Sequence, residues 1–582
     1  MGMVKRLGIW LFRRFFTVFR AIVRSLGRWS EGDRQRWLIL DLDGPLPDLP
    51  SPRPRWLGRF MGPTPTSLME MVTGLEGAAL DPELAGVVVK LGSPDADWGP
   101  LWEVREALSK VRESGKHVWI WSEGLDTRTL WLASAGEKIF LAPAGTVDLI
   151  GLRAELFSVK PLLTRLGVRG QFLQAGKYKS YGEMFTLDEP SAENREAVDT
   201  LLGDLFEQVA TDVERGRGFA QGDLARLMAE GPFHARDALA RHLVDALLFP
   251  DEVDKLLQEA AGGEEQLSMM AMEDYVAQLR TDKRLATPLA GRKILAVVGA
   301  AGGIGGKGAG DGGIEQETFV DIFDELREDD EVVGVVLRID SPGGSALTSD
   351  LLWREMRRLR EKKPVYVSMG ATAASGGYYM AAAGDHIFAA PGTLTGSIGV
   401  LAGKMEGSGL SAALGVHVEG VEHGGRAGIY SPLRAFTPEE RHHLQRDVDN
   451  AYDLFLDRIL EGRPGSREDL HEMAQGRVWS GKRAVEHKLV DELGGISRAT
   501  TALAEKVGGQ RTDFDVVVVV PAAGGGLIRR IASRGGLRAL LPAVIGKMSA
   551  RWWPVLSLTP WREGPRPGHH LQVMLPFSMK IF

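Results

Sequence analysis

Cysteine is absent from these 582 residues. That excludes disulfides, thiol nucleophiles and cysteine-held zinc or iron–sulfur centres. Histidine is sparse, and His442-His443 and His569-His570 stand as isolated pairs without metal-ligand spacing. No metal and no cofactor is expected. The net charge of −7 lacks the overall basic excess of a nucleic-acid binder. The N-terminal stretch lacks both the unbroken apolar core of a signal peptide and the roughly 20 uncharged residues of a membrane span.

That stretch does carry a pattern. Residues 1–36 interleave Lys5, Arg6, Arg13, Arg14, Arg20, Arg24 and Arg28 with large apolar side chains. At helical spacing Leu11, Phe15, Val18 and Ile22 share one face, and Arg13, Arg20 and Arg24 the opposite one. This reads as a basic amphipathic helix lying on an anionic membrane surface. Beyond it, buried-strand runs such as Trp37 to Leu42, Gly86 to Leu91 and His117 to Trp121 alternate with helical segments such as Leu101 to Val111, which predicts an α/β fold. Residues 45–65 are proline-rich and read as a loop.

The chain repeats itself. An offset of 248 residues lays Gly86-Val-Val-Val-Lys-Leu-Gly-Ser93-Pro94 on Gly334-Val-Val-Leu-Arg-Ile-Asp-Ser341-Pro342, and Ala135-Gly136-Glu-Lys-Ile-Phe on Ala383-Gly384-Asp-His-Ile-Phe. A tandem duplication of one α/β domain follows. The repeats span 37–262 and 291–510, joined by a connector at 263–290 that is helical from Met269 to Leu279; a tail covers 511–582. The same offset exposes what differs. Where the second half has Ser375, Gly376 and Gly343-Gly344, the first has Thr127, Arg128 and Asp95-Ala96. Only the first half has lysines in Gln174-Ala-Gly-Lys177-Tyr178-Lys179-Ser180-Tyr181; the matching stretch Glu422 to Ile429 has none.

Ser375 ends a strand that begins at Val365 and turns at Gly370, and it opens a helix that stops at Gly384. That position suits an N-cap, and it equally suits a nucleophile whose following N–H faces an oxyanion. Serine needs a base near neutral pH. His386 and His423 are the nearest histidines, and the first reads as a surface strand end. A lysine serves if burial strips its ammonium of water; Lys177 and Lys179 are the candidates, with Ser397 placed to orient the amine. Arg338-Ile-Asp-Ser-Pro-Gly343-Gly344-Ser345 ends a strand and opens a helix, and its glycines allow N–H groups to face a substrate carbonyl. Gly303-Ile-Gly305-Gly-Lys-Gly308 fits a dinucleotide fingerprint but no helix follows, so it reads as a loop at the active-site rim.

At Arg338 to Ser345, Ala374-Ser-Gly-Gly-Tyr-Tyr379, Leu394-Thr-Gly-Ser-Ile-Gly399 and Tyr178-Lys-Ser180 the sequence resembles the long form of the signal peptide peptidase A family, over roughly residues 60–510. The resemblance implies two crotonase/Clp-like ββα spiral domains and a Ser–Lys peptidase. Ser375 would be nucleophile, Lys179 rather than Lys177 general base, Ser397 the lysine's partner, and Gly376 with Gly343 and Gly344 the oxyanion hole. It further implies a homo-oligomeric, tetramer-like ring or bowl at the bacterial inner membrane that degrades signal peptide remnants. The charged arm departs from the family's transmembrane helix, so an interfacial anchor is expected. The tail from Gly524 exceeds the resemblance. A scaffold without catalysis and a crotonase-type acyl-CoA enzyme are the alternatives on the same fold.

Overall fold

The computed structural model describes residues 35–51, 65–264, 267–285, 293–305, 313–520 and 571–574. The amphipathic arm up to residue 34, part of the proline-rich loop, the apolar tail segments at Leu537 and Arg551, the His569-His570 pair and the glycine loop after Gly305 lie outside the described residues. Among the described residues no helix is long and apolar enough to cross a membrane.

The first half opens with β1 (Gln35–Pro45), α1 (Leu68–Leu80), β2 (Leu84–Asp95), α2 (Trp98–Glu113), β3 (His117–Ser122), α3 (Thr127–Ala133) and β4 (Lys138–Leu141). Ser67 starts α1 through a capping box with Glu70, which satisfies N–H groups the helix leaves open. Then come α4 (Lys160–Arg165), β5 (Arg169–Ala175), α5 (Ala192–Arg217), β6 (Ala246–Leu247), β7 (Leu267–Ala271) and α6 (Met272–Leu285). The sheet runs β7-β1-β2-β3-β4-β6, parallel throughout. Its β2 is a run of buried valines, as expected of a parallel strand covered on both faces.

The second half repeats this order. It comprises β8 (Ile294–Ala301), β9 (Val332–Ser341), β10 (Gly343–Ser345), α7 (Ala346–Arg360), β11 (Val365–Ala374), α8 (Gly376–Ala381), β12 (His386–Ala389) and β13 (Leu394–Gly396). It continues through β14 (Val400–Glu406), α9 (Ser408–Ala413), α10 (Pro438–Leu460), β15 (Val478–Ser480), β16 (Glu492–Leu493), α11 (Ile496–Lys506) and β17 (Asp515–Val519). The sheet order β15-β13-β11-β9-β8-β17, with β12 and β16 branching from β11, matches the first sheet strand for strand in its parallel core. Each half closes on a strand, β7 or β17, added beside its first strand. The connector therefore begins with a strand at Leu267–Ala271, where the sequence suggests helix from Met269. Likewise β11 does not turn at Gly370. Its pairing with β9 resumes at Ser341–Ala373 after an irregularity, so the strand carries on to Ala374.

The halves are welded at three places. A third sheet holds β5 of the first half antiparallel to β14 of the second, from Arg169–Glu406 to Ala175–Val400. Between the two main sheets, the Arg338 guanidinium lies 2.8 Å from Asp48 and 2.7 Å from Glu103, both first-half carboxylates. Arg338 and Glu103 are buried, and Glu103 also accepts from Ile496 N at 2.7 Å. A buried ion pair stripped of one partner is strongly destabilising, so this triad fixes how the halves sit. At the third, Asp204 on α5 accepts from Ser480 Oγ and Arg483 Nε, each at 2.7 Å.

Candidate active site

The β5–β14 pairing sets the geometry. The turn after β5 carries Lys179, and β11 and β13, parallel neighbours, end beside it at Ser375 and Ser397. Lys179 Nζ lies 2.6 Å from Ser375 Oγ, and it donates to Ser397 O at 2.9 Å and Ser397 Oγ at 3.0 Å. All three residues are wholly buried. Burial pushes the Lys179 ammonium well below the ordinary lysine range. A neutral amine has two N–H groups and one lone pair. Were both N–H groups of the neutral amine on Ser397, its lone pair would face Ser375 Oγ and could take the hydroxyl proton.

Ser375 occupies the cap position of α8, yet its side chain makes no capping bond. Its backbone stands at φ 57°, ψ −114°, held by donation of Ser375 N to Gly396 O at 2.7 Å. Ser397 is likewise at φ 52°. Such backbone costs on the order of 1–3 kcal/mol per residue and persists where surrounding structure enforces it. Here it aims two hydroxyls at one amine.

Of the expected oxyanion groups, Gly376 and Gly344 lie together, but the Gly343 N–H donates to Ser341 Oγ at 3.2 Å and is not open to a substrate. A side-chain Cβ on Gly376 would fall 3.2 Å from Gly344 N, so the two backbones touch. A Cβ on Gly344 would sit 1.8 Å from Ile304 O; no other residue fits there. In the first half these positions are filled: the Arg128 guanidinium donates to Ala96 O at 2.7 Å and Pro94 O at 3.3 Å, plugging the matching turn. Thr127 Oγ1 reaches only backbone groups near Asp148, Ile150 and Gly151. Lys177 is not brought to the serine; its ammonium lies over the Tyr178 ring at 5.1 Å. His386 begins β12 in contact with Tyr366 and Phe388, and His423 is exposed.

Three features escape sequence reasoning. Gly476, at φ 80°, lies where a Cβ would meet the Lys179 backbone at 2.5–2.7 Å, and Tyr178 N donates to Gln475 O at 2.8 Å. These residues are some 300 positions from the lysine in sequence, and no local pattern marks them. Arg477 grips the lysine turn from the second half, its guanidinium 4.8 Å from the Tyr178 ring and 2.8 Å from Glu196. Finally, the strand β18 (Leu571–Met574) runs antiparallel between β10 and β14, placing Val573 opposite Gly344 and Gln572 opposite Leu401.

Comparison with known proteins gives the family of the chain. The model of peptidase family S49 matches residues 110–264 and 357–509, one segment in each half. The chain is 31% identical to Protease 4 of Salmonella typhi over 559 residues, covering 92% of this chain and 89% of that one. It is 32% identical to Protease 4 of Haemophilus influenzae over 513 residues, 85% and 82% of the two chains. It is 31% identical over 445 residues to the chloroplastic serine protease SPPA of Arabidopsis thaliana, 76% of this chain and 66% of that one. Two matched segments in register with the duplication, and relatives that match nearly end to end, place this chain in peptidase family S49: it is a serine peptidase built from two tandem copies of the family domain.

Proposed function

We propose that this peptidase works through a Ser375–Lys179 dyad and degrades cleaved signal peptides and similar apolar peptides at a membrane surface. The observation that carries the reading is the 2.6 Å approach of a buried, partnerless-in-charge lysine to a buried serine. In the proposed cycle Lys179 takes the proton of Ser375 Oγ as the oxygen attacks the scissile carbonyl. The N–H groups of Gly376 and Gly344 face the developing oxyanion, whereas that of Gly343 is taken by Ser341 Oγ at 3.2 Å. The ammonium returns its proton to the leaving amine, and a water deprotonated by the same lysine resolves the acyl-enzyme. Ser397 keeps the amine oriented throughout.

Substrate binds as an added antiparallel strand between β10 and β14, the manner in which Leu571–Met574 lies there. The tail strand then competes with substrate and has to leave before cleavage. Each half follows the crotonase/Clp-like spiral. Anchoring is interfacial, through the basic arm of residues 1–36 at the bacterial inner membrane, and the chains assemble as a homo-oligomeric ring or bowl. The substrate class is supported by a matching chain of Enterococcus faecium that is named a putative signal peptide peptidase, 36% identical over 191 residues, 33% of this chain and 56% of that one. The test is turnover of a synthetic apolar signal peptide by the full chain, compared with Ser375→Ala. Equal turnover by both would reject the dyad; no turnover by either, with casein still cleaved by the parent, would reject the substrate class alone.

A further inference from the structure

The junction between the halves has a second, empty version. At an offset of 248 residues, α4 falls on α9, and Gly167 at φ 70° on Gly415 at φ 73°. Gly176 at φ 103° falls on Gly424 at φ 101°. Val159 N donates to Met184 O at 2.8 Å, as Gly407 N donates to Pro432 O at 2.8 Å. Residues 417–423 are thus the second-half copy of β5, and residues 152–158 the first-half copy of β14. Yet β5 and β14 pair with each other while their copies form no strand. The copies also carry apolar side chains in water. Val421 is 86% exposed where its counterpart Leu173 is 4% exposed; Phe157 is 58% and Val418 48% exposed. An unpaired apolar edge of this kind is a template for strand addition.

We infer that residues 417–423 of one copy of this chain pair antiparallel with residues 152–158 of the next, repeating the junction already made inside each chain. This rests on the assembly proposed above and names its contact. Transferring the β5–β14 register sets Val418 opposite Phe157, Val421 opposite Ala154 and Glu422 opposite Arg153, two apolar pairs and one of opposite charge. Leu162 N would donate to the neighbour's Gly415 O, as Leu410 N donates to Gly167 O at 2.9 Å within the chain. The two patches differ, so the contact is head-to-tail and generates a ring when its rotation closes. The receiving segment also borders the lysine turn: Leu156 and Phe157 line one cleft with Ser180 and Tyr181. Assembly therefore seats a neighbour against the element that carries Lys179.

The absence of cysteine makes the test clean. Ala154→Cys and Val421→Cys chains, purified separately, mixed and oxidised, are expected to give a covalent dimer that neither forms alone. The double variant is expected to give a ladder of covalent multimers. Val418→Asp with Val421→Asp, at exposed sites, is expected to shift the mass by light scattering to the monomer with an unchanged melting transition. A multimer that neither cross-links at this pair nor responds to the aspartates overturns the contact and leaves assembly standing. Stronger cross-linking of Ala154→Cys to Glu419→Cys than to Val421→Cys overturns the register. A monomer at all concentrations overturns both contact and assembly.

Discussion

The two halves share a sheet order and a 248-residue register, yet one holds an amine and the other a hydroxyl. In the second half the turn at Gly344 and the cap at Ser375 stay open; in the first, Arg128 plugs the turn and Thr127 is turned into backbone. The second half in turn has Ala427 where the first has Lys179. The difference teaches that duplication lets one site be divided: each copy keeps half of the constellation and fills the space left by the other half. What holds the two parts in register is packing remote from the chemistry, the β5–β14 pairing and the Arg338 triad.

The sharpest way to break this comparison is to mutate equivalent positions. Ser375→Ala is expected to lower kcat on the order of 10⁴-fold or more, while Thr127→Ala leaves peptide turnover unchanged. Loss of activity in the threonine variant would mean that both halves work.

Lys179→Met is expected to cost about 10³-fold or more in kcat, and the parent's rate should rise with pH until the amine is neutral, well below the usual lysine range. A flat profile between about pH 5 and 9 would point to another base. Stability carries a signature of the same sign. The folded lysine releases its proton at lower pH than the unfolded one, so the unfolded state binds more protons between the folded value and about 10.4. The parent therefore gains stability as pH rises through that window. Lys179→Met removes the slope, so its melting temperature at pH 7 should exceed the parent's and the gap should close toward pH 10.

Gly476→Ala pushes a methyl into the Lys179 backbone and is expected to lower kcat about 10–100-fold through misplacement alone, with the pH profile shifted and the fold retained. The smallest effect concerns the tail: ending the chain at residue 520 should raise kcat/KM for added peptides a few-fold, and unchanged kinetics would show that β18 does not compete.

Much of this was legible before any coordinates. The repeat was readable because an ungapped register leaves matching motifs; Ser375, Lys177 and Lys179 stood out as chemistry present in only one copy, Ser397 as part of a loop beside the Ser375 helix, and only the family resemblance chose Lys179 over Lys177. The motif ending at Ser345 read as a strand end and helix start, and Ser345 caps α7. Other parts were not legible. Gly476 and Gln475 act on the lysine through space, and only the β5–β14 pairing brings them near. The Arg338–Asp48–Glu103 triad joins residues about 290 positions apart, and each reads singly as an ordinary charge. Leu571–Met574 is too short to show a strand period. Gly370 looked like a turn because glycine in a strand has the same local signal as a glycine that ends one.

Dividing the dyad also sets a clock. A ribosome makes the amine-bearing half first; Ser375, the hydroxyl proposed to act with Lys179, arrives nearly 200 residues later. On the proposed dyad, the nascent chain carries no working protease until the later copy has folded onto the earlier one.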